Sequence, residues 1–383
     1  MDYIASINQQ IENFFVTNIP SVDPLTYKFL VPPYISEPEF LRLVSTGVFP
    51  TSKGLYPAIY YAILLSLLRY ILHKCILKPL ALKAMDLKYP LNHKYDLVIE
   101  RKFPTALVRR DTKYIDKVVA EGKYSKSDLH IYFRNSRREA FVDKKVGKFV
   151  EAAWRFLFYL VFCIVGMRAL IFPDIASWVA DTSNYWRGWP YEHRIESQVY
   201  FYYVVELGAY IHQLLWTEVS RSDAAEMIIH HFVTILLLVC SYLLNFSRIG
   251  SAIVLIHDVA DIFLESAKCF NYTGKVKGRE WASTVTDIVF GCFAITFFLS
   301  RLVYYPRFVV YDVLFILPSY YNNDWAGYYW FGGLLCTLQA LHIFWFYLIA
   351  RMIYRLVTTG IDKDERSDDE DGPEDEDDEP KKK

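Results

Sequence analysis

The chain has few of the patterns that identify metal-binding or disulfide-stapled proteins. Its 383 residues include six scattered cysteines, none in a CxxC pair, so neither a disulfide framework nor a structural zinc site is predicted. The nine histidines are also scattered, and the HxxxH and HxxHH clusters of membrane di-iron enzymes are missing. No short apolar core follows a basic start at the N-terminus, so we expect no signal peptide and a first apolar span that stays as an anchor.

Apolar residues, in contrast, are abundant. The chain is 53% hydrophobic and 17% aromatic, which exceeds the usual soluble range. We predict an all-α polytopic membrane protein with seven transmembrane helices, each near the ~20 residues that cross hydrocarbon. The predicted spans are 56–77, 150–172, 198–217, 227–246, 249–270, 281–303 and 328–354. Charged residues lie inside several spans, so windowed hydropathy alone should miss the third and the fifth.

The distribution of lysine and arginine predicts the orientation, because cytosolic loops carry more of both. Segment 78–149 carries 18 of them and the short 271–280 loop carries three, whereas the 304–327 loop carries only Arg307. We therefore expect the first two segments and the C-terminus to be cytosolic, and the N-terminus to be lumenal.

These features divide the chain into five parts. The predicted parts are a lumenal N-terminal segment (1–55), a first transmembrane helix (56–77), a cytosolic basic module (78–144), a domain with six transmembrane helices (145–356) and an acidic cytosolic tail (357–383). Residues 361–383 hold 13 acidic and five basic residues, a net charge of −8. Such a composition predicts disorder, with Ser367 placed among acidic residues as an acid-directed kinase prefers.

Polar residues form stripes on the otherwise apolar helices, where they are costly and usually face a bundle interior. At ~100° per residue, His230 lies in the middle of a stripe on the fourth span, and His231 lies at its edge. The fifth span has one polar face within an arc of ~100°. Its members are His257, Asp258, Asp261, Glu265 and Lys268. Glu265 and Lys268 are three residues apart and should pair.

Two further spans add polar groups to this set. The third span carries Tyr202, Glu206, Tyr210, Gln213 and Thr217, and the seventh carries Gln339 and His342. A shared cavity is the most economical place for them. The fourth and fifth spans are joined by the short turn Ser247–Arg248, so they should pack side by side.

Several chemistries suit these residues. A histidine oriented by a carboxylate is a general base, and an imidazole can also be acylated directly. Both suit acyl transfer from a thioester. The same residue types could instead bind iron or zinc, or could serve only to hold helices together. We predict no metal, because the histidine clusters of the membrane di-iron enzymes are missing.

The chain is similar to the ceramide synthase family at these residues. "DAAEMIIHHFVTILLL" and "LIHDVADIFLESAKCFNYTG" resemble the Lag motif of that family, a histidine pair followed by HDxxD and LExAK. The match places this motif at His230, His231, His257, Asp258, Asp261, Leu264, Glu265, Ala267 and Lys268. Segments 149–166 and 338–352 resemble the first and last parts of the TLC domain, so the resemblance covers about 145–371.

The resemblance implies a fold and an activity. TLC domains have six helices around a central cavity, and the extra N-terminal span makes seven. The implied reaction is N-acylation of a sphingoid base by acyl-CoA in the endoplasmic reticulum membrane, without any cofactor, giving dihydroceramide or ceramide and CoA. It implies catalytic roles for His230, His231, Asp258 and Asp261, and substrate binding by His257, Glu265, Lys268 and Glu206. Homo- or heterodimers are expected as well, and membrane lipid as a partner.

Some questions stay open at this level. Some TLC relatives handle or sense lipids without acyl transfer. The family ties the last lumenal loop, here 304–329, to acyl-chain length, which the sequence does not reveal. "IYFRNSRREA" (131–140) resembles the end of a homeodomain recognition helix, with Asn135, Arg137 and Arg138 as its DNA-contacting types. The module is tethered to a membrane, so we expect a degenerate module that binds no nucleic acid. The sequons at Asn245 and Asn271 are expected to be unmodified.

Overall fold

The described chain is helical throughout. The computed structural model describes residues 31–90, 126–170, 181–216, 224–321 and 325–359, and every regular element in these ranges is a helix. The helices are α1 (Glu37–Ser45), α2 (Pro57–Leu72), α3 (Lys78–Ala84), α4 (Lys126–Leu170), α5 (Ser197–Leu215), α6 (Ala224–Leu243), α7 (Ser247–Gly274), α8 (Trp281–Phe297), α9 (Leu317–Tyr320) and α10 (Ala326–Thr359). The predicted all-α class is therefore confirmed for this part of the chain. The acidic tail from residue 360, with Ser367, most of the basic module (91–125) and Thr217 lie outside the described residues.

Helices lie at all seven predicted positions, and five of them are long and apolar enough to cross a membrane. Those five are Ser52–Ala84, Arg134–Leu170, Ala224–Leu243, Trp281–Tyr320 and Ala326–Thr358. The two helices that are not among these five are α5 and α7, the third and fifth predicted spans. This outcome was expected from their polar stripes. Glu206 and His212 of α5, and His257, Asp258 and Glu265 of α7, are all buried.

Two helices extend beyond the predicted boundaries. Helix α8 continues through π-helical turns (Phe298–Tyr304, Pro306–Val310 and Asp312–Ile316) into α9. The prediction of a loop from residue 304 was therefore wrong as far as Tyr320. The reason is that 304–320 is rich in aromatic and branched apolar residues and contains no glycine to stop a helix. A π-type turn can also begin at Pro306, whose missing N–H would interrupt an α-helix.

The second extended helix is α4, which runs for 45 residues. The predicted boundary between the basic module and the six-helix domain, at residues 144 and 145, lies inside this helix. The homeodomain-like segment 131–140 is thus the beginning of the same helix that later becomes strongly apolar.

Contacts within the described chain define two compact units. The first contains the described residues up to Leu67, from Tyr159 to Ala260, and from Phe293 onward. The second runs from Leu68 to Phe158 and from Asp261 to Cys292.

The core of the first unit is built on α6, which packs against α5 and α10. Glycine permits two close approaches there. A Cβ at Gly208 of α5 would lie 2.6 Å from the carbonyl oxygen of Ala58 in α2. A Cβ at Gly250, in the first turn of α7, would lie 3.0 Å from Ser241 Oγ of α6. Helices α6 and α7 are therefore side by side where a short turn joins them, as the sequence predicted. The turn itself is 244–246, whereas Ser247 and Arg248, the predicted turn residues, begin α7.

The turn between α6 and α7 is fixed by Asn245. This residue has a positive φ of 60°, and its side-chain amide donates to the carbonyls of Val48 and His193 at 2.9 and 2.8 Å. The segment before α2 and the segment before α5 are thereby bound to one buried side chain, since Asn245 is only 1% exposed.

The second unit is stabilised by polar contacts at helix ends. Arg279, in the loop between α7 and α8, donates to the carbonyls of Lys83 (3.2 Å) and Ala84 at the end of α3. The orphan carbonyls of a helix C-terminus thus receive a cationic donor. In the same unit, Tyr89 donates to Asp143 of α4 at 2.6 Å.

Candidate active site

Four histidines and one arginine lie together in the first unit. We call this group the histidine cluster: His230 and His231 on α6, His257 on α7, His342 on α10, and Arg301 in the π-helical continuation of α8. The rings of His230 and His231 are 5.3 Å apart, and those of His257 and His342 are 4.7 Å apart. His230 is an electrostatic neighbour of His257, Arg301 and His342, so the two pairs belong to one group.

A direct hydrogen bond joins His257 to His342. Their Nε2 atoms are 2.8 Å apart, and His257 Nδ1 is 2.5 Å from the carbonyl oxygen of Ile253, one turn back in α7. A carbonyl only accepts, so Nδ1 of His257 carries the proton. In a neutral ring Nε2 of His257 is then the acceptor, and Nε2 of His342 donates to it. Both side chains are almost fully buried, at 3% and 0% exposure.

Arg301 brings a permanent charge into this group. It donates to the carbonyl oxygen of His257 at 2.8 Å, its guanidinium carbon lies 4.5 Å from the centre of the Phe297 ring, and it is 6% exposed. Arg301 was not among the site residues predicted from the sequence. The signal was available, because an arginine inside an apolar span is costly and usually functional.

The adjacent histidines of α6 face aromatic side chains. His231 is buried and His230 is half-buried. The ring of His230 is 5.2 Å from that of Trp345 on α10, and the ring of His231 is 6.0 Å from that of Tyr210 on α5. Thr234 Oγ1 donates to the His230 carbonyl at 2.8 Å, which leaves the His230 ring to the cluster.

Two carboxyl groups also lie together in the first unit. Asp258 of α7 is an electrostatic neighbour of Glu206 of α5, and both have Tyr202 beside them. Glu206 and Asp258 are each 1% exposed. Two consecutive residues of α7 therefore belong to different groups. His257 lies in the histidine cluster, and Asp258 lies in the carboxyl pair. Two buried carboxyl groups side by side form an environment that favours a cationic ligand.

Three other predicted residues lie in the second unit. Asp261 is half-buried, one turn after Asp258 in α7. Lys268 Nζ is 2.9 Å from Glu265 Oε1, which confirms the predicted pair, and Arg155 of α4 lies 3.8 Å from the same oxygen. Glu265 is 3% exposed. The two cations therefore balance a buried carboxylate, and Lys268 is occupied in this ion pair.

The structure thus brings the predicted residues into three groups. His230, His231 and His257 lie in the histidine cluster, Glu206 is paired with Asp258, and Glu265 is paired with Lys268. Among the described residues, no three His, Cys, Asp or Glu side chains are arranged to hold a metal ion. The six cysteines are all free thiols.

Known proteins match most of the chain. The family model of the TLC domain matches residues 148–351. The chain is 34% identical to human ceramide synthase 3 over 85% of its own length and 82% of that protein. It is 33% identical to human ceramide synthase 4 over 89% and 84% of the two lengths.

A plant ceramide synthase also matches the chain, over a shorter region. Ceramide synthase LOH2 of Arabidopsis thaliana is 35% identical over 59% of this chain and 76% of that protein. The family match and the apolar helices together indicate a multi-pass membrane protein. The chain belongs to the ceramide synthase family of TLC-domain proteins.

Proposed function

We propose that this protein transfers a fatty acyl group from acyl-CoA to the amine of a sphingoid base, sphinganine or sphingosine. The products are dihydroceramide or ceramide, and free CoA. The observation that carries the proposal is the histidine cluster, a set of buried imidazoles beside one fixed cation, in a chain of this family. The buried Glu206–Asp258 pair supports it, since the acceptor amine is a cation in water.

The chemistry requires proton transfer at the amine. The ammonium of the sphingoid base has no lone pair and must first lose a proton. The nitrogen then attacks the thioester carbonyl, a C–N bond forms, the C–S bond breaks, and the thiolate of CoA takes up a proton. An imidazole is well matched to these transfers near neutral pH.

The roles follow from position. His230 is the central base, because it is half-buried and so reachable, and His231 is the alternative on the next residue of α6. Glu206 and Asp258 attract the ammonium and hold it for deprotonation. Asp261, one turn further along α7, is the remaining candidate for this task. Arg301 is suited to stabilise the negative charge that develops on the thioester oxygen.

Two routes are consistent with this arrangement. In the first, His230 removes the proton and the amine attacks acyl-CoA directly. In the second, the imidazole attacks the thioester, CoA leaves, and the amine then displaces histidine from an acyl-imidazole. The second route forms a covalent intermediate in the absence of the amine, whereas the first does not.

We also propose a membrane topology. Helices α5 and α7 cross the membrane with the five apolar ones, giving seven crossings, six of them around a cavity that admits both lipids. The N-terminus is lumenal, the C-terminus is cytosolic, and the membrane is that of the endoplasmic reticulum. Lys275 and Lys277 are exposed and are suited to the CoA phosphates, whereas Arg279 is engaged with the end of α3. No cofactor takes part, and the protein works in the lipid bilayer as a homo- or heterodimer.

The test is acyl transfer by purified protein in detergent. Sphinganine and a series of acyl-CoA chain lengths are supplied to wild type, His230→Ala and Asp258→Ala. His73→Ala is the matched control, since His73 is an exposed histidine of the second unit. We expect product from wild type and from the control, and a loss of roughly 10²- to 10⁴-fold in both site variants, the usual contribution of a general base.

Two outcomes contradict the proposal. Absence of product with any donor would favour a lipid-binding protein without acyl transfer. Full activity of His230→Ala would show that the histidine is structural. Intact mass after incubation with acyl-CoA alone separates the routes, because an added acyl mass on wild type that is lost in His230→Ala supports the covalent one.

A further inference from the structure

The proposed reaction removes two protons from the nitrogen of the acceptor. The nitrogen enters as an ammonium with three protons and leaves as an amide with one. One of the two protons released goes to the thiolate of CoA, and the other is a net product. A single imidazole that returns its proton to the leaving thiolate cannot also hold the second one.

His342 has the free nitrogen that this second step needs. Its Nε2 donates to Nε2 of His257, whose own Nδ1 donates to the Ile253 carbonyl. The remaining nitrogen of His342, Nδ1, is therefore a lone pair in the neutral ring. It is buried and has no hydrogen-bond partner in the described part of the chain. An unsatisfied buried acceptor costs free energy.

Among the residues that the structure describes, few other groups that titrate surround His342. On α7 the neighbour is His257, on the continuation of α8 the neighbours are Arg301 and Tyr305, and on α6 it is His230. Arg301 is always a cation, and Tyr305 donates its hydroxyl to the Leu335 carbonyl at 3.1 Å. The remaining groups that can exchange a proton near His342 are thus the histidines of the cluster.

We propose that His342 is the second proton acceptor of the acyl transfer, with Nδ1 as the accepting atom. This inference rests on the proposed function. His230 takes the first proton and gives it to the CoA thiolate. His342 takes the net proton from His230 and later releases it to water, so that both rings are neutral again for the next turnover. His257 acts as a positioning residue, since its fixed tautomer makes Nε2 of His342 the donor and leaves Nδ1 bare.

Substitution by glutamine tests this role. The side-chain amide nitrogen of glutamine can take the place of Nε2, so His342→Gln keeps a donor toward His257 but removes the lone pair of Nδ1. His342→Asn is the second variant, with a shorter amide and also no base. His73→Ala remains the control. Each protein is checked for a monodisperse peak in detergent and for helical circular dichroism before the assay.

We expect His342→Gln to lower kcat roughly 10²-fold near neutral pH while KM for acyl-CoA changes less than about threefold, as expected for a lost proton acceptor. The deficit should shrink at least tenfold as the pH rises toward the pKa of the substrate amine. A neutral amine has one proton fewer to lose, and the second acceptor is then unnecessary. A merely structural defect would not recover in this way.

The outcomes separate this inference from the proposed function. Product from wild type together with full activity of His342→Gln, or with a deficit that does not change with pH, would overturn the role of His342 alone. If neither variant folds, His342 is a structural residue and the inference is wrong. If wild type makes no product with any donor, the proposed function fails and this inference fails with it.

Discussion

Replacing Asn245 should strongly destabilise the first unit. Its amide is the shared donor to two buried backbone carbonyls, of Val48 and His193. Alanine leaves both acceptors without this donor, and each unsatisfied buried group costs about 1–3 kcal/mol. Alanine also has to adopt the positive φ of 60°, at a cost of about 1 kcal/mol. The expected total loss is about 3–7 kcal/mol.

Glycine at the same position separates the two contributions. Asn245→Gly also loses both hydrogen bonds, but glycine adopts a positive φ without a Cβ penalty. It should therefore be destabilised by about 1 kcal/mol less than Asn245→Ala. Thermal unfolding of the purified proteins in detergent, followed by circular dichroism, gives the order directly.

The expected order of midpoints is wild type, then Asn245→Gly, then Asn245→Ala. A wild-type midpoint for Asn245→Ala would refute the assignment of the two hydrogen bonds as stabilising. A midpoint for Asn245→Gly below that of Asn245→Ala would refute the argument from φ. Burial of Asn245 also fits the expectation that its sequon is unmodified, which stays a prediction.

Two further predictions concern stability in the first unit. Burial lowers the pKa of His193 to about 3, and Arg248 adds to the shift. Between that value and the ordinary ~6.5, the unfolded chain binds more protons than the folded chain. The free energy of unfolding should therefore be highest above pH ~6.5 and should fall as the pH drops. The melting midpoint of His193→Gln, measured at several pH values, should depend less on pH than that of wild type. Gly208→Ala should lower the melting midpoint, because its Cβ would lie 2.6 Å from the Ala58 carbonyl oxygen. The control Gly333→Ala should not, because nothing lies within 4 Å of the added Cβ. Equal midpoints for the two variants would contradict the close approach of α2 and α5.

The helices and the polar stripes were determined by the sequence. Long apolar runs can satisfy their backbone groups only as helices in a bilayer, so the positions of the helices followed from composition. Local spacing was enough to predict the Glu265–Lys268 pair, because residues three apart in a helix are neighbours whatever the fold of the rest of the chain. The histidine pair and the HDxxD residues also stood out, since polar groups in apolar runs are rare.

Only the tertiary structure decided which stripes meet. His257 and His342 are 85 residues apart in sequence, and helical periodicity says which way a side chain points on its own helix but not which helix it faces. For the same reason, no pattern along the chain paired Asp258 with Glu206 or put Arg301 on the carbonyl of His257. The tautomers of the cluster, and with them the bare nitrogen of His342, depend on those partners. The sequence therefore supplies the chemical groups, and the packing of the helices determines which of them act together.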